Sequence, residues 1–165
     1  MSVVPNAGPL DGIKVVEMGQ LIAGPFCGQL LGDMGAEIVK IEPPETGDPM
    51  RNWGQGDKPS WWRVIARNKY SVALNLRSED GQNTARDLIS KADILIENFR
   101  PGTSDKRGLG YEVMRVINPR LVMLRISGFG HDGPNRDRPG FARIAHAFGG
   151  LAHLTGEADG PPLPP

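Results

Sequence analysis

Residues 13–42 read IKVVEMGQLIAGPFCGQLLGDMGAEIVKIE. A short apolar run (Ile13, Val15, Val16) stops at Met18-Gly19. Phe26, Cys27, Leu30, Leu31 and Met34 then recur at helical spacing up to Gly35, and Ile38, Val39 and Ile41 open a second apolar run. Strand, helix and strand, with a glycine stop before the second strand, predict a βαβ unit. Pro25 suits the first turn of that helix, because the N–H that proline lacks would have no intrahelical partner there. The free N–H groups of the Ala23-Gly24-Pro25 turn point beyond the carboxyl end of the first strand, where open α/β sheets place ligands.

The same alternation continues downstream. Residues 1–12 read as an extended lead-in, and Pro43 to Ser60 as a polar loop carrying Gly47, Asp48, Pro49 and Arg51. Trp61, Trp62, Val64 and Ile65 begin a short helix. Ser71 to Leu76 alternates Val72, Leu74 and Leu76 with smaller or polar residues, the pattern of a half-buried or edge strand. Ser78-Glu79-Asp80 offers a helix start, with Ala85, Leu88, Ile89 and Ala92 on one face. Asp93 to Glu97 is a short apolar strand of the kind buried in parallel sheets. Val113, Met114 and Ile117 mark another helix, ended by Asn118-Pro119, and Leu121 to Ile126 a fifth strand. After Pro134, Pro139 and Gly140, a last helical stripe holds Phe141, Ile144, Ala145 and Phe148. The expected fold is α/β: a mostly parallel, Rossmann-like sheet of about five strands with helices on both faces.

Composition narrows the function. At 165 residues the chain is long enough to bury a core as one domain. Nineteen basic residues balance nineteen acidic ones, so no field of one sign points to nucleic acid or an anionic membrane. Cys27 is the single cysteine, which excludes an internal disulfide and a cysteine-based metal cluster and fits a reducing, cytoplasmic setting. Met1 to Leu10 lacks the apolar core of a signal peptide, and no apolar run approaches the length of a membrane span.

Individual motifs carry less. Gly128-Phe129-Gly130-His131-Asp132-Gly133 matches G-x-G-x-x-G after a strand, but Pro134 and Pro139 follow where the dinucleotide fingerprint requires a helix, so a glycine loop permitting close backbone approach is the better reading. Cys27 reads as a buried, inert thiol. His146 and His153 stand seven apart with no carboxylate or third ligand at useful spacing, which favours surface or packing roles. Arg51, Lys69, Arg77, Arg100, Lys106 and Arg107 fall in or beside loops; cations gathered beside an apolar floor suit a ligand with phosphates and an adenine ring, although scattered surface charge has the same composition.

The run LDGIKVVEMGQLIAGPFCGQLLGDMGAEIVKIEPPETGDPMR resembles the N-terminus of class III CoA-transferases, the formyl-CoA and carnitine CoA-transferase family, whose superfamily includes the 2-methylacyl-CoA racemases. RNKYSVALNL, ADILIENFRPGT, SGFGHDGP and AFGGLAHLTGEADGPP resemble the same family in the same order, from about Pro9 to Pro162. The resemblance implies a CoA-binding domain over residues 1–165 that is the incomplete N-terminal part of a protein more than twice as long, with an interlocked homodimer as the assembled form. It implies transfer of CoA between an acyl-CoA and a carboxylic acid through mixed anhydrides and thioesters on an aspartate, with coenzyme A as substrate rather than fixed cofactor; from the composition and spacing above, no nucleic acid, membrane or metal partner is expected.

Position by position, the resemblance assigns Leu21 and Ala23 to the pantetheine and thioester end of CoA. Leu74, Arg77, Asn98 and Phe99 go to the adenine and ribose-phosphate end. Lys106 stands where many members have arginine, keeping the charge without the fork geometry. The nucleophilic aspartate is expected a few residues beyond Pro165, so no catalytic residue is expected in this chain. Three further departures from the pattern matter. Ile22 replaces a glutamine found in some transferases, against formyl- or oxalyl-type substrates. Pro43 replaces a nucleotide-contacting arginine, and Phe141-Ala142 stands where racemases carry His-Asp. A racemase and a non-catalytic CoA-binding or scaffold protein are the alternatives.

Overall fold

The computed structural model describes residues 8–54 and 60–163. Most of the expected lead-in, the end of the loop before Ser60 and the last two prolines lie outside the described residues. The chain forms two compact units, Met1–Ile126 and Ser127–Pro165.

The first unit is built on five parallel strands: β1 (Lys14–Glu17), β2 (Glu37–Glu42), β3 (Lys69–Ala73), β4 (Ile94–Glu97) and β5 (Val122–Arg125). Their order is β3-β2-β1-β4-β5, and every pairing is parallel. The expected βαβ unit is present, with α1 (Ala23–Asp33) joining β1 to β2. Chain direction across the sheet reverses at β1: β2 and β3 are laid down on one side, β4 and β5 on the other. That reversal opens the crevice at the carboxyl ends of β1 and its neighbours.

Alternation along each strand feeds two cores. Val15, Ile38 and Ile96 point to one face, where Cys27 and Leu31 of α1 pack on them. Val16, Ile41 and Leu95 point to the other, against Ala85 and Ile89 of α3 (Glu79–Ser90) and Met114 of α5 (Tyr111–Ile117). Helices therefore cover both faces, as expected. Ser78 caps α3 as read, its hydroxyl accepting the Gly81 N–H at 3.2 Å.

Some boundaries move. The third strand runs Lys69–Ala73 rather than Ser71 to Leu76, because Asn75 turns the chain: its side chain accepts the Arg77 N–H and its carbonyl the Ser78 N–H. Leu76 leaves the sheet and is buried among the α3-side core residues. The apolar pattern read on α1 splits in two. Cys27 and Leu31 face the sheet, whereas Ile22, Phe26, Leu30 and Met34, spaced by four, are more than two-fifths exposed. Three short elements went unread: a 3-10 turn (Pro49–Asn52), α4 (Thr103–Lys106) and α7 (Leu151–Leu154). The anticipated helix at Trp61 is α2 (Ser60–Ile65).

The second unit holds α6 (Ala142–Phe148) and α7. In its glycine loop no helix opens on Gly133. Gly128 lies backbone to backbone against Gly140, so closely that a Cβ on either would overlap the other's Cα. Gly128 thus serves close approach within the loop, as the sequence context implied, whereas Gly130 and Gly133 meet no backbone closely and adopt positive φ of 84° and 86°. Phe129 meets Phe148 edge to face at 5.4 Å.

Candidate functional site

A cleft of about 530 Å³ opens where the strand order reverses. Its walls come from the exits of four strands: Met18 and Gln20 after β1, Ile41 to Thr46 at the end of β2, Leu74 to Arg77 after β3 and Phe99 after β4, with Arg107 closing one side. Of the residues assigned by resemblance, Leu74, Arg77 and Phe99 line this cleft. Asn98 braces its rim, its Oδ1 accepting the Gln20 N–H at 2.7 Å while its Nδ2 donates to the Gln20 carbonyl at 2.9 Å. Leu21 and Ala23 follow Gln20 into α1. Lys106 is exposed at the end of α4, outside the lining.

Arg107, one position further on, takes the place beside Phe99: its guanidinium carbon lies 5.2 Å from the ring centroid. Burial first, and then the like charge of Arg77, lower its pKa from the ordinary arginine value. Neither arginine has an ion-pair partner among the described residues. Two guanidinia without an ion-pair partner, lining one cleft with an aromatic face, have the chemistry to hold an anion joined to a flat ring.

The other cations proposed from sequence are spent internally. Arg51 stacks on Trp62 at 4.0 Å and grips Glu42 with two bonds, Nε to Oε2 at 2.7 Å and Nη2 to Oε1 at 2.8 Å. Lys69 is buried beneath α1, donating to Glu17 Oε2 at 2.7 Å and to the Pro25 carbonyl at 2.6 Å. Burial lowers its pKa against the opposing pull of Glu17. Arg100 is exposed and does not line the cleft.

Glu42 fixes the β2 wall. Burial alone would raise its pKa, but hydrogen bonds from Arg51, the Ser71 hydroxyl and the Asp48 N–H outweigh that and hold it at about 2. A folded pKa below the ordinary 4.5 stabilises the fold at higher pH; that stability is complete above about 4.5 and is lost as pH falls towards about 2. Glu42→Gln should remove this part of the acid dependence, read as a flatter plot of unfolding midpoint against pH in that window.

Glu17 and Glu97, each at the end of a strand, have structural roles. Glu97 accepts the Phe99 N–H at 2.7 Å and the Arg125 Nε at 2.9 Å, setting the exit of β4. Glu17 is fully buried between Lys40 and Lys69. Cys27 is partly buried, and burial followed by the nearby Glu17 charge raises its pKa, the opposite of a nucleophilic thiolate. No group of three possible metal ligands occurs among the described residues, nor any helix long and apolar enough to cross a membrane. Sequence reasoning passed over Asp48 and undervalued Arg107. Asp48-Pro49 was a readable signal, an acceptor followed by proline at the start of a helical turn. Arg107 became distinguishable only once α4 turned it inward.

The chain is 50% identical over 157 residues to a succinyl-CoA–D-citramalate CoA-transferase of Chloroflexus aurantiacus, matching 93% of this chain and 39% of that protein. It is 37% identical to the human succinyl-CoA:glutarate CoA-transferase, over 97% of this chain and 37% of the relative. It thus spans about two-fifths of the length of these curated relatives. Among solved structures, a CAIB/BAIF family protein from Brucella suis superposes with a TM-score of 0.89 at 42% identity, covering 94% of this chain and 43% of that one. The family model of CoA-transferase family III matches residues 10–165, and with the parallel sheet and cleft in place the chain belongs to that family.

Proposed function

We propose that residues 1–165 are the CoA-binding part of an acyl-CoA:carboxylate CoA-transferase. The observation that carries this reading is the pair of unneutralised arginines, Arg77 and Arg107, beside Phe99 in the cleft at the carboxyl edge of the sheet. The 3′-phospho-ADP end of CoA lies in that cleft, with Leu74 and Phe99 against the adenine and the guanidinia on its phosphates. Pantetheine runs over the rim toward Leu21 and Ala23, and Lys106 contributes an outer charge. The names of the relatives support succinyl-CoA as donor and a second dicarboxylic acid as acceptor.

An aspartate beyond Pro165 attacks the thioester, dividing one exchange into covalent steps. CoA leaves with the product and is a substrate rather than a resident cofactor. A homodimer of the longer protein is the assembled form. The exposed apolar stripe of α1 and the exposed Phe148, Leu151 and Leu154 support further burial on assembly. A reducing, cytoplasmic setting suits the unpaired Cys27.

Calorimetry with CoA on this chain tests the reading. Arg77→Ala and Arg107→Ala should each weaken binding about tenfold, the order of a hydrogen bond to a charged group with Arg77 exposed. CoA transfer should be absent from residues 1–165 and appear when the chain is extended. NAD binding without CoA binding, or transfer by this chain alone that is lost on mutating Asp132 or Asp137, would overturn it.

A further inference from the structure

Leu21 is a non-glycine residue with φ of +62°, a conformation that L side chains with bulk rarely adopt. It sits between Gln20, clamped by Asn98, and Ile22, which opens α1 without a side-chain cap. What holds it is remote in sequence. Asp48 is 1% exposed, and its Oδ1 accepts the Leu21 N–H at 3.1 Å and the Met50 N–H at 2.8 Å. Its Oδ2 lies 2.8 Å from Lys40 Nζ, and that ammonium also donates to the Gly19 carbonyl at 2.7 Å. Its own N–H is held by Glu42 at 2.8 Å. One buried carboxylate thus ties the β1–α1 turn to the loop that walls the cleft on the β2 side.

We propose that Asp48 is a positioning residue for the ligand: through Oδ1 it holds Leu21 in its left-handed conformation and fixes the Met50 turn, which follows the cleft wall and is joined to it by the bond from the Asp48 N–H to Glu42, so that both ends of one bound molecule meet a preset surface. The proposal rests on the reading that CoA spans the cleft and the turn. It assigns the effect to the hydrogen bond rather than to the charge. An asparagine at 48 retains an oxygen acceptor for both N–H groups but surrenders the ion pair and sets its Nδ2 against the Lys40 ammonium, so that variant should lose stability while Lys40 keeps Glu17 as partner. An alanine surrenders both.

Two measurements on the 165-residue chain decide it: amide hydrogen exchange at Leu21 and Met50, and CoA affinity by calorimetry. Asp48→Asn should keep both amides protected and CoA affinity within threefold of wild type. Asp48→Ala should expose both amides and lower affinity by tenfold or more. Equal losses in the two variants would assign the effect to charge and overturn the proposal, as would wild-type affinity in Asp48→Ala. If Asp48→Ala does not fold, Asp48→Asn decides alone, and loss of protection or affinity there overturns it. If wild type binds no CoA, the functional reading fails by itself. Amide exchange then decides whether Asp48 holds the turn, and unchanged protection at Leu21 in Asp48→Ala refutes it.

Discussion

Lys40→Met should lower stability to urea unfolding by about 3–5 kcal/mol, the cost of removing one partner from a buried ion pair. Lys40 is 1% exposed and stands beside Glu17 in the parallel register of β1 and β2. Its ammonium meets Glu17 Oε1 at 2.9 Å, Asp48 Oδ2 at 2.8 Å and the Gly19 carbonyl at 2.7 Å. Methionine fills nearly the same volume, so packing is retained and the lost terms are electrostatic. Glu17 would keep Lys69, but Asp48 would be left as a buried anion with no cation. Two buried lysines balance two buried carboxylates in the wild type, and the substitution breaks that neutrality. The expected signature is a lower urea midpoint at unchanged slope. A loss below about 1 kcal/mol would show that the cluster is hydrated and weakly coupled.

Gly28→Ala should cost about 3 kcal/mol, more than overpacking by one methyl commonly does. A Cβ at residue 28 would overlap Glu17 Oε2 and stand 3.1 Å from its Cδ. Glu17 cannot swing aside, because Lys40 and Lys69 hold its two oxygens and the carboxylate has no access to water. Either α1 lifts from the sheet or the ion pairs lengthen. Thermal unfolding of Gly28→Ala beside wild type measures the sum, and a neutral or stabilising result would mean that α1 tolerates displacement.

These two residues also show what the sequence disclosed and what it withheld. The βαβ unit was legible in residues 13–42 because both strands are apolar runs and Gly35 stops the helix between them. Parallel pairing followed from the same alternation, and the capped start of α3 from Ser78. The facing of α1 was not legible. Apolar spacing places Phe26, Leu30 and Met34 on one stripe, and apolar stripes ordinarily face a core. Here the space between helix and sheet is partly taken by Glu17 and Lys69, so glycines face inward and that stripe faces out.

The site divides in the same way. The resemblance assigned Leu74, Arg77 and Phe99 to one end of the ligand, and in the structure the three line one cleft. Which cations face it depends on side-chain partners that lie far apart in sequence. Arg51 finds Glu42 and Lys69 finds Glu17, whereas Arg77 and Arg107 find no acid among the described residues. Loop position alone treats all four alike.

The inward row of Gly24, Gly28 and Gly32 has a consequence for how the chain acquires its shape. Each glycine disfavours helix by about 1 kcal/mol relative to alanine, and eleven residues are too few to sustain an isolated helix in water. Excised as a peptide, the Ala23–Asp33 segment should give the circular dichroism of coil. Its helicity is conferred by docking, so nucleation falls to other parts of the unit, with α3 as the longer and capped candidate. The β1–α1 turn that precedes this segment should then become fixed only as the helix docks on the sheet.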